Sequence, residues 1–324
     1  MKLLEINNLS VTVKKIYTAV DGIDITIDTG EIAALAGESG SGKTLSALSI
    51  MGLLPPAANT GSGSMLYKTA AGETMDLCTL DEKSMRRIRG KEIAMVFQEP
   101  RQSLNPLMRT GKQISEALEL HGTDSKSAKD AALDLLHRLQ FPQPEKIFTA
   151  WPHQLSGGMC QRVMIAIAAI CRPRLLVADE PSSALDNATL GHCLALLAQI
   201  NREFGTAILF ITHDLSMAAR FCSRMMVMYA GKIIEEGPAA EIFSAPRHPC
   251  TRALAGAIPG TEKKGRPLLT IPGIAPSPGN RPSGCAFAPR CPKAGADCRK
   301  EVPPFTNYED GRRSRCFYTE AHNG

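Results

Sequence analysis

The sequence predicts an α/β protein whose parallel central sheet presents a phosphate-binding loop. A short continuous apolar run, Ile32–Ala36, leads straight into the glycine-rich stretch Gly37-Glu38-Ser39-Gly40-Ser41-Gly42-Lys43-Thr44 and then into a helical pattern, TLSALSIMGLL. Two more apolar runs, LLVA (175–178) and AILFI (207–211), flank a helical stretch over 188–202. Runs without alternation suit strands buried on both faces, and strand–helix–strand succession predicts parallel pairing.

The other elements follow in chain order. LLEINNLSVTV and IDITI alternate apolar with polar residues, which predicts two strands separated by a turn at Val20–Gly22. EIAALAG, after Gly30, is the next strand. From about 105 to 171 the pattern is mostly helical. Ser125 or Ser127 caps a helix with apolar positions at Ala131, Ala132, Leu135, Leu136 and Leu139, and Pro142 and Pro144 end it. MMVMYAG and KIIEEG are the closing strands. Residues 259–304 are crowded with Pro and Gly and lose all apolar periodicity, so a small loop-rich appendage with little core is expected there.

A chain of 324 residues has room for a core of two hundred or more plus such an appendage. Its 44% hydrophobic and 21% charged residues exclude a disordered chain. The net charge of +5 fits an anionic ligand or a membrane-facing surface and gives no ground for nucleic-acid binding. Val163–Cys171, between Arg162 and Arg172, is far short of the roughly 18 apolar residues a spanning helix needs. The opening MKLLEINNLS lacks the features of a signal peptide. The expectation is an intracellular chain whose membrane role comes through partners. Six single cysteines (78, 160, 171, 193, 222 and 250) read as small hydrophobes of the core or its margin. The charge runs RRIRGK (86–91) and GRRSR (311–315) read as solvated faces.

The chemistry starts at the glycine loop. GxxxxGK[ST] between a strand and a helix lets successive backbone N–H groups point at phosphate oxygens, reinforced by the helix N-terminus. Lys43 would bridge the β- and γ-phosphates and the Thr44 hydroxyl would bind Mg2+. The run LLVADE delivers Asp179 to the carboxyl edge of the sheet, where it can hold the Mg2+ shell, and places Glu180 to take a proton from water. His213 ends another strand, AILFITHD, and Gln98 ends IAMVFQ. His213 is placed to contact the γ-phosphate and position the water of Glu180, and Gln98 to reach the metal and the same water.

Leu155-Ser156-Gly157-Gly158-Met159-Cys160-Gln161-Arg162 resembles the LSGGQ signature of the ATP-binding cassette (ABC) ATPases, and Ser182–Asp186 resembles the loop that follows their catalytic Glu. Ser156 and the Gly157–Gly158 backbone open a helix and make an anion site. In that family the site closes on the γ-phosphate bound by a partner ATPase. QEPRQSLNPLM (98–108), YAGKIIEEGPAAEIF (229–243), PRHPCTRAL (246–254) and GCAFAPRCPKAGADCRKEVPP (284–304) look like the ATPase subunits of the oligopeptide, dipeptide and nickel importers. The resemblance implies a P-loop NTPase of the ABC type with a mixed sheet, a helical subdomain inserted at about 99–171, an ATPase domain over 1–255 and a C-terminal extension over 256–324. Counting back from Lys43 to the adenine-stacking position lands near Lys14, with Tyr17 the nearest ring.

The resemblance also implies the function. It is an ATPase that powers import of di- or oligopeptides from the cytoplasmic face of the inner membrane, as a peripheral subunit. The alternatives are nickel or another small solute, or a soluble ABC ATPase acting on nucleic acid or ribosomes. Implied partners are a second ABC ATPase, a related paralogue ahead of an identical copy, two integral membrane permease subunits and, indirectly, an extracytoplasmic solute-binding protein. Nucleic acid is not among them.

Cys285-x5-Cys291-x6-Cys298-x17-Cys316 groups four thiols in a stretch that otherwise lacks a core. Four thiolates suit tetrahedral Zn2+ or an iron–sulfur cluster, and the spacing alone separates neither. The resemblance favours a 4Fe-4S cluster over Zn2+.

Overall fold

The computed structural model describes residues 1–181, 187–258 and 270–319. Its strands are β1 (Lys2–Val13), β2 (Tyr17–Asp28), β3 (Ile32–Gly37), β4 (Ala58–Lys68), β5 (Thr74–Asp76), β6 (Ile93–Val96), β7 (Leu175–Asp179), β8 (Ala207–Thr212), β9 (Arg224–Tyr229), β10 (Lys232–Pro238), β11 (Thr306–Asn307) and β12 (Arg313–Ser314). They form an antiparallel sheet in the order β2-β1-β4-β5 and a mixed sheet in the order β11-β12-β10-β9-β3-β8-β7-β6.

The parallel ladder β9-β3-β8-β7-β6 is the part the apolar runs dictate. Every residue of β6, β7 and β8 is buried. Alternate residues serve two cores, as the period of two along a strand requires. Ala34, Ala36, Val96, Leu176, Ala178, Ile208 and Phe210 face the helical layer. Ala33, Leu35, Met95, Leu175, Val177, Leu209 and Ile211 face the antiparallel sheet. The helices Thr110–Glu119, Ser125–Arg138, Pro144–Thr149 and Gly157–Ala169 are inserted between the neighbouring strands β6 and β7.

Several local expectations need correction. No turn occurs at Val20–Gly22: β2 runs unbroken from Tyr17 to Asp28, and Gly22, with φ of 60°, sits in a bulge opposite Ser10. The hairpin turns earlier, where Lys14 and Lys15 both take φ of 55°, the paired positive φ that suits a tight hairpin. The cap of the helix Ser125–Arg138 is Asp124, whose carboxylate accepts from the N–H groups of Lys126 and Ser127.

The C-terminal extension is less separate than expected. β12 pairs with β10 and extends the central sheet, setting Glu235 opposite Ser314 and Glu236 opposite Arg313. Phe287 is buried within the helical-side core. The GRRSR run is therefore not a solvated face. Arg312 is 5% exposed and bonds Asp310 and Ala245 O, Arg313 pairs with Glu236 at 2.6 Å, and Arg315 lies over the Phe305 ring. In RRIRGK, Arg89 likewise turns inward to the carbonyls of Met51 and Gly52, while Arg86 stays exposed. Cys160, Cys193, Cys222 and Cys250 are buried and Cys78 and Cys171 half-buried, as small hydrophobes should be.

Candidate functional site

Parallel pairing brings the carboxyl ends of β3, β6, β7 and β8 to one edge, the usual place for a ligand in such a sheet. The glycine loop leaves β3 there. Gly37 has φ of 149°, and a Cβ on it would lie 2.1 Å from the Met228 carbonyl oxygen on β9. At Gly42, with φ of 110°, the helix Lys43–Ile50 begins without a side-chain cap. Its first N–H groups therefore lack a side-chain acceptor, which suits an anion.

Lys43 is 4% exposed, and its Nζ donates to the carbonyls of Gly37 (2.8 Å) and Glu38 (3.0 Å). Burial pulls its pKa down, against the charges of Glu180, Asp179 and Glu38. Thr44 Oγ1 donates to Asp179 Oδ1 at 3.3 Å. Burial pushes the Asp179 carboxyl up, and the Thr44 bond opposes the rise. A buried carboxylate beside an exposed hydroxyl is an oxygen pair chemically suited to a hard divalent cation, whose charge would hold the carboxylate ionised.

Glu180 adopts φ of 44°, an unusual conformation for a residue with a side chain, and its N–H bonds Ile211 O on β8 at 3.0 Å. That backbone turn delivers its carboxylate to two neighbours. Gln98 Nε2 donates to Glu180 Oε2 at 3.2 Å and His213 Nδ1 lies 3.3 Å from the same oxygen. The three strand ends singled out in the sequence thus meet at one carboxylate.

A cavity of about 620 Å³ opens on this edge, within the size range of small-ligand pockets. Ser39, Gly40, Gly42, Lys43 and Thr44 line one part, with Gln98 and Glu180 beside them. Val13, Tyr17 and Ala19 line another part. Gly37, Glu38, Ser41, Asp179 and His213 are not among its lining residues. Ser41 Oγ is buried without a hydrogen-bond partner among the described residues.

Ser156 caps the helix Gly157–Ala169, its Oγ accepting from Met159 N–H at 3.3 Å. Gly157 faces open space, whereas a Cβ on Gly158 would lie 2.3 Å from Thr189 Cγ2. None of the three lines the phosphate-loop cavity. Asp186 and the rest of its loop, from 182, lie outside the described residues.

Two features have no signal in the sequence. Arg290 reaches from the C-terminal extension to the glycine loop and pairs with Glu38 at 2.7 Å. Ser277–Asn280 joins the cavity lining beside Tyr17.

Cys285, Cys291, Cys298 and Cys316 converge on a second, small cavity of about 10 Å³, roughly the room of one water. Burial pushes the Cys316 thiol up to about 11, and the other three thiols add to the rise. Among the described residues, no three His, Cys, Asp or Glu side chains stand close enough to hold a metal ion.

The comparisons with known proteins agree with this geometry. Residues 20–183, half of the chain, match the ABC transporter family, and residues 234–298 match the oligopeptide/dipeptide transporter C-terminal region. A putative peptide import ATP-binding protein of Brucella melitensis is 47% identical over 92% of this chain and 91% of its own length. The dipeptide transport ATP-binding protein DppD of Escherichia coli is 42% identical, over 98% of this chain and 97% of its own. Among solved structures, the dimeric bacterial ABC transporter cassette MJ0796 superposes with a TM-score of 0.63 at 26% identity, covering 73% of this chain and 99% of that one. With a family model over half its length and such relatives along nearly all of it, the chain belongs to the ABC transporter family as one of its ATPases, and it carries the oligopeptide/dipeptide transporter C-terminal region.

Proposed function

We propose that the chain is the ATP-hydrolysing motor of an importer of di- or oligopeptides, bound peripherally at the cytoplasmic face of the membrane. The observation that carries this reading is that Gln98 and Glu180 share one cavity with Lys43 and Thr44, with His213 on the same Glu180 carboxylate. The names of its relatives supply the peptide. Among the described residues no helix is long and apolar enough to cross a membrane, so translocation would fall to two permease subunits, supplied with solute by an extracytoplasmic binding protein. Residues 1–255 would form the motor and 256–324 the extension.

In this reading Lys43 and the N–H groups of the glycine loop hold the β- and γ-phosphates. Thr44, Asp179 and Gln98 hold Mg2+, which when bound neutralises charge on the phosphates. Tyr17 stacks on the base. Glu180 accepts a proton from water as its oxygen attacks the γ-phosphorus, the bond to the bridging oxygen breaks, and ADP leaves. His213 fixes the Glu180 carboxylate and contacts the γ-phosphate.

Ser156, Gly157 and Gly158 would act across an interface, on the phosphate held by a second ATPase, a related paralogue ahead of an identical copy. Asp186 would lie near that junction. The exposed helix N-terminus, away from the chain's own cavity, supports this. Ser156→Arg is therefore expected to leave ATP binding by the single chain intact and to abolish ATP-driven pairing, measured by size-exclusion chromatography with the hydrolysis-blocked Glu180→Gln chain and its partner subunit. Pairing at wild-type ATP concentrations would refute the cross-chain role. Peptide import is tested by ATP-dependent uptake of labelled peptide into vesicles containing the chain with its permeases. ATP-driven uptake of another solute class, with none of peptide, would overturn the assignment.

We further infer that the four C-terminal cysteines ligate a metal centre, a 4Fe-4S cluster ahead of Zn2+. Their convergence on one cavity supports a shared ligand, and thiolates favour soft metals. Anaerobically purified chain should carry about four irons, the cluster's stoichiometry, and Cys298→Ser should lose them. Stoichiometric zinc without iron would reassign the site, and metal-free protein with an ordered extension would remove it.

A further inference from the structure

The C-terminal extension reaches the nucleotide cavity itself. Ser277–Asn280 forms a turn closed by Asn280 N–H donating to Ser277 O at 2.9 Å, and all four residues line the cavity. Gly279 lies so close to Tyr17 that a Cβ there would stand 2.5 Å from ring atom Cε1.

Two arginines hold this turn in place. Arg281 donates from one terminal nitrogen to Ala19 O on β2 at 2.8 Å, with the other 3.7 Å from Asp21. A Cβ on Gly231 would lie 2.3 Å from the same guanidinium, so the turn between β9 and β10 is cut back to admit it. Arg290, with a side chain 5% exposed, donates to both oxygens of Glu38 (2.7 and 3.3 Å), to Tyr229 Oη (3.1 Å) and, from Nε, to Pro272 O (2.9 Å). One guanidinium thus ties the segment before the turn to the glycine loop.

The cavity consequently has two chemical ends. The phosphate end has Lys43, Thr44 and backbone N–H groups. The other has an aromatic ring, small apolar side chains, the Ser277 hydroxyl and the Asn280 amide. Both arginines are engaged with β2, Tyr229, Pro272 and Glu38, so the turn presents only neutral groups.

We propose that Ser277–Asn280 is the nucleoside-side wall of this chain's own ATP site. It contacts the base and ribose in cis, and Arg281 and Arg290 are its positioning residues. The proposal rests on the cavity being the ATP site, and its test separates the two claims. Calorimetry on the full chain would measure binding of ATP, ADP and inorganic tripolyphosphate, each with Mg2+. Gly279→Val, which displaces the turn or the Tyr17 ring, and Asn280→Ala are expected to weaken ATP and ADP by about tenfold, the loss of one or two hydrogen bonds or an equal apolar contact. Tripolyphosphate, which has no nucleoside, should bind both variants as it binds the wild type.

ATP affinity unchanged in both variants would overturn the proposal. So would a parallel weakening of tripolyphosphate, which marks a merely structural role. Lys43→Ala tests the underlying reading and should weaken ATP and tripolyphosphate together. If it weakens neither, the cavity is not the phosphate site and the wall has no nucleotide to face.

Discussion

Glu180→Gln is expected to lower ATP turnover by about 10²- to 10⁴-fold, the usual contribution of a positioned general base, while ATP binding stays within about twofold of wild type, the loss of less than one net hydrogen bond. The geometry makes this a clean substitution. Glu180 Oε2 accepts from Gln98 Nε2 and lies beside His213 Nδ1, and an amide oxygen can take both contacts. The backbone bond to Ile211 O is unaffected by the side chain. What the amide lacks is a basic oxygen for the proton of the attacking water. The bound nucleotide should therefore persist as ATP, measured by phosphate release and by the identity of the nucleotide recovered from the protein. Turnover within a few-fold of wild type would remove Glu180 from the role of base and leave it holding Gln98 and His213 in place.

The central sheet was legible because burial on both faces leaves a trace in composition. The apolar runs in IAALAG, LLVA and AILFI form the bodies of β3, β7 and β8, and the polar Asp179 and Thr212 come only at the ends of β7 and β8. The meeting of three side chains was legible for a related reason: Glu180, His213 and Gln98 each follow such a run, so parallel pairing carries them to one edge. β4 left no such trace. Its sequence ANTGSGSMLYK is exposed or half-buried at all but Met65 and Tyr67, and is held by pairing with β1 rather than by its own pattern. The hairpin at Lys14–Lys15 was hidden because lysine rarely adopts positive φ, and Gly22 offered a false turn in its place.

Long-range charge pairs were the least legible of all. Arg290 and Glu38 are separated by 252 residues, and nothing local marks either as the other's partner. The same holds for Arg313, which meets Glu236 across the β10–β12 pairing. A run of arginines read by itself suggests solvent. Only the fold shows that these arginines fasten the extension to the sheet edge, each buried charge satisfied by a carboxylate or a carbonyl as burial requires.

The glycine loop supplies the second large expected effect, on stability rather than chemistry. Gly37→Ala should destabilise the protein by about 3–5 kcal/mol, at the severe end for one substitution and a large share of the 5–15 kcal/mol typical of folded domains. The new Cβ would lie 2.1 Å from Met228 O and 3.1 Å from its carbonyl carbon, both backbone atoms of β9. No rotamer change relieves such an overlap; β3 and β9 must separate at the centre of the sheet, where Gly37 and Met228 are register partners. Gly40→Ala is the matched control. It too adds a Cβ at positive φ (75°), but nothing lies within 4 Å of it, so only the left-handed backbone cost of about 1–2 kcal/mol applies. Thermal unfolding without nucleotide should therefore show a markedly larger fall in Tm for Gly37→Ala than for Gly40→Ala. Equal shifts would mean that β9 does not approach the loop this closely, and the constraint on Gly37 would reduce to its φ alone.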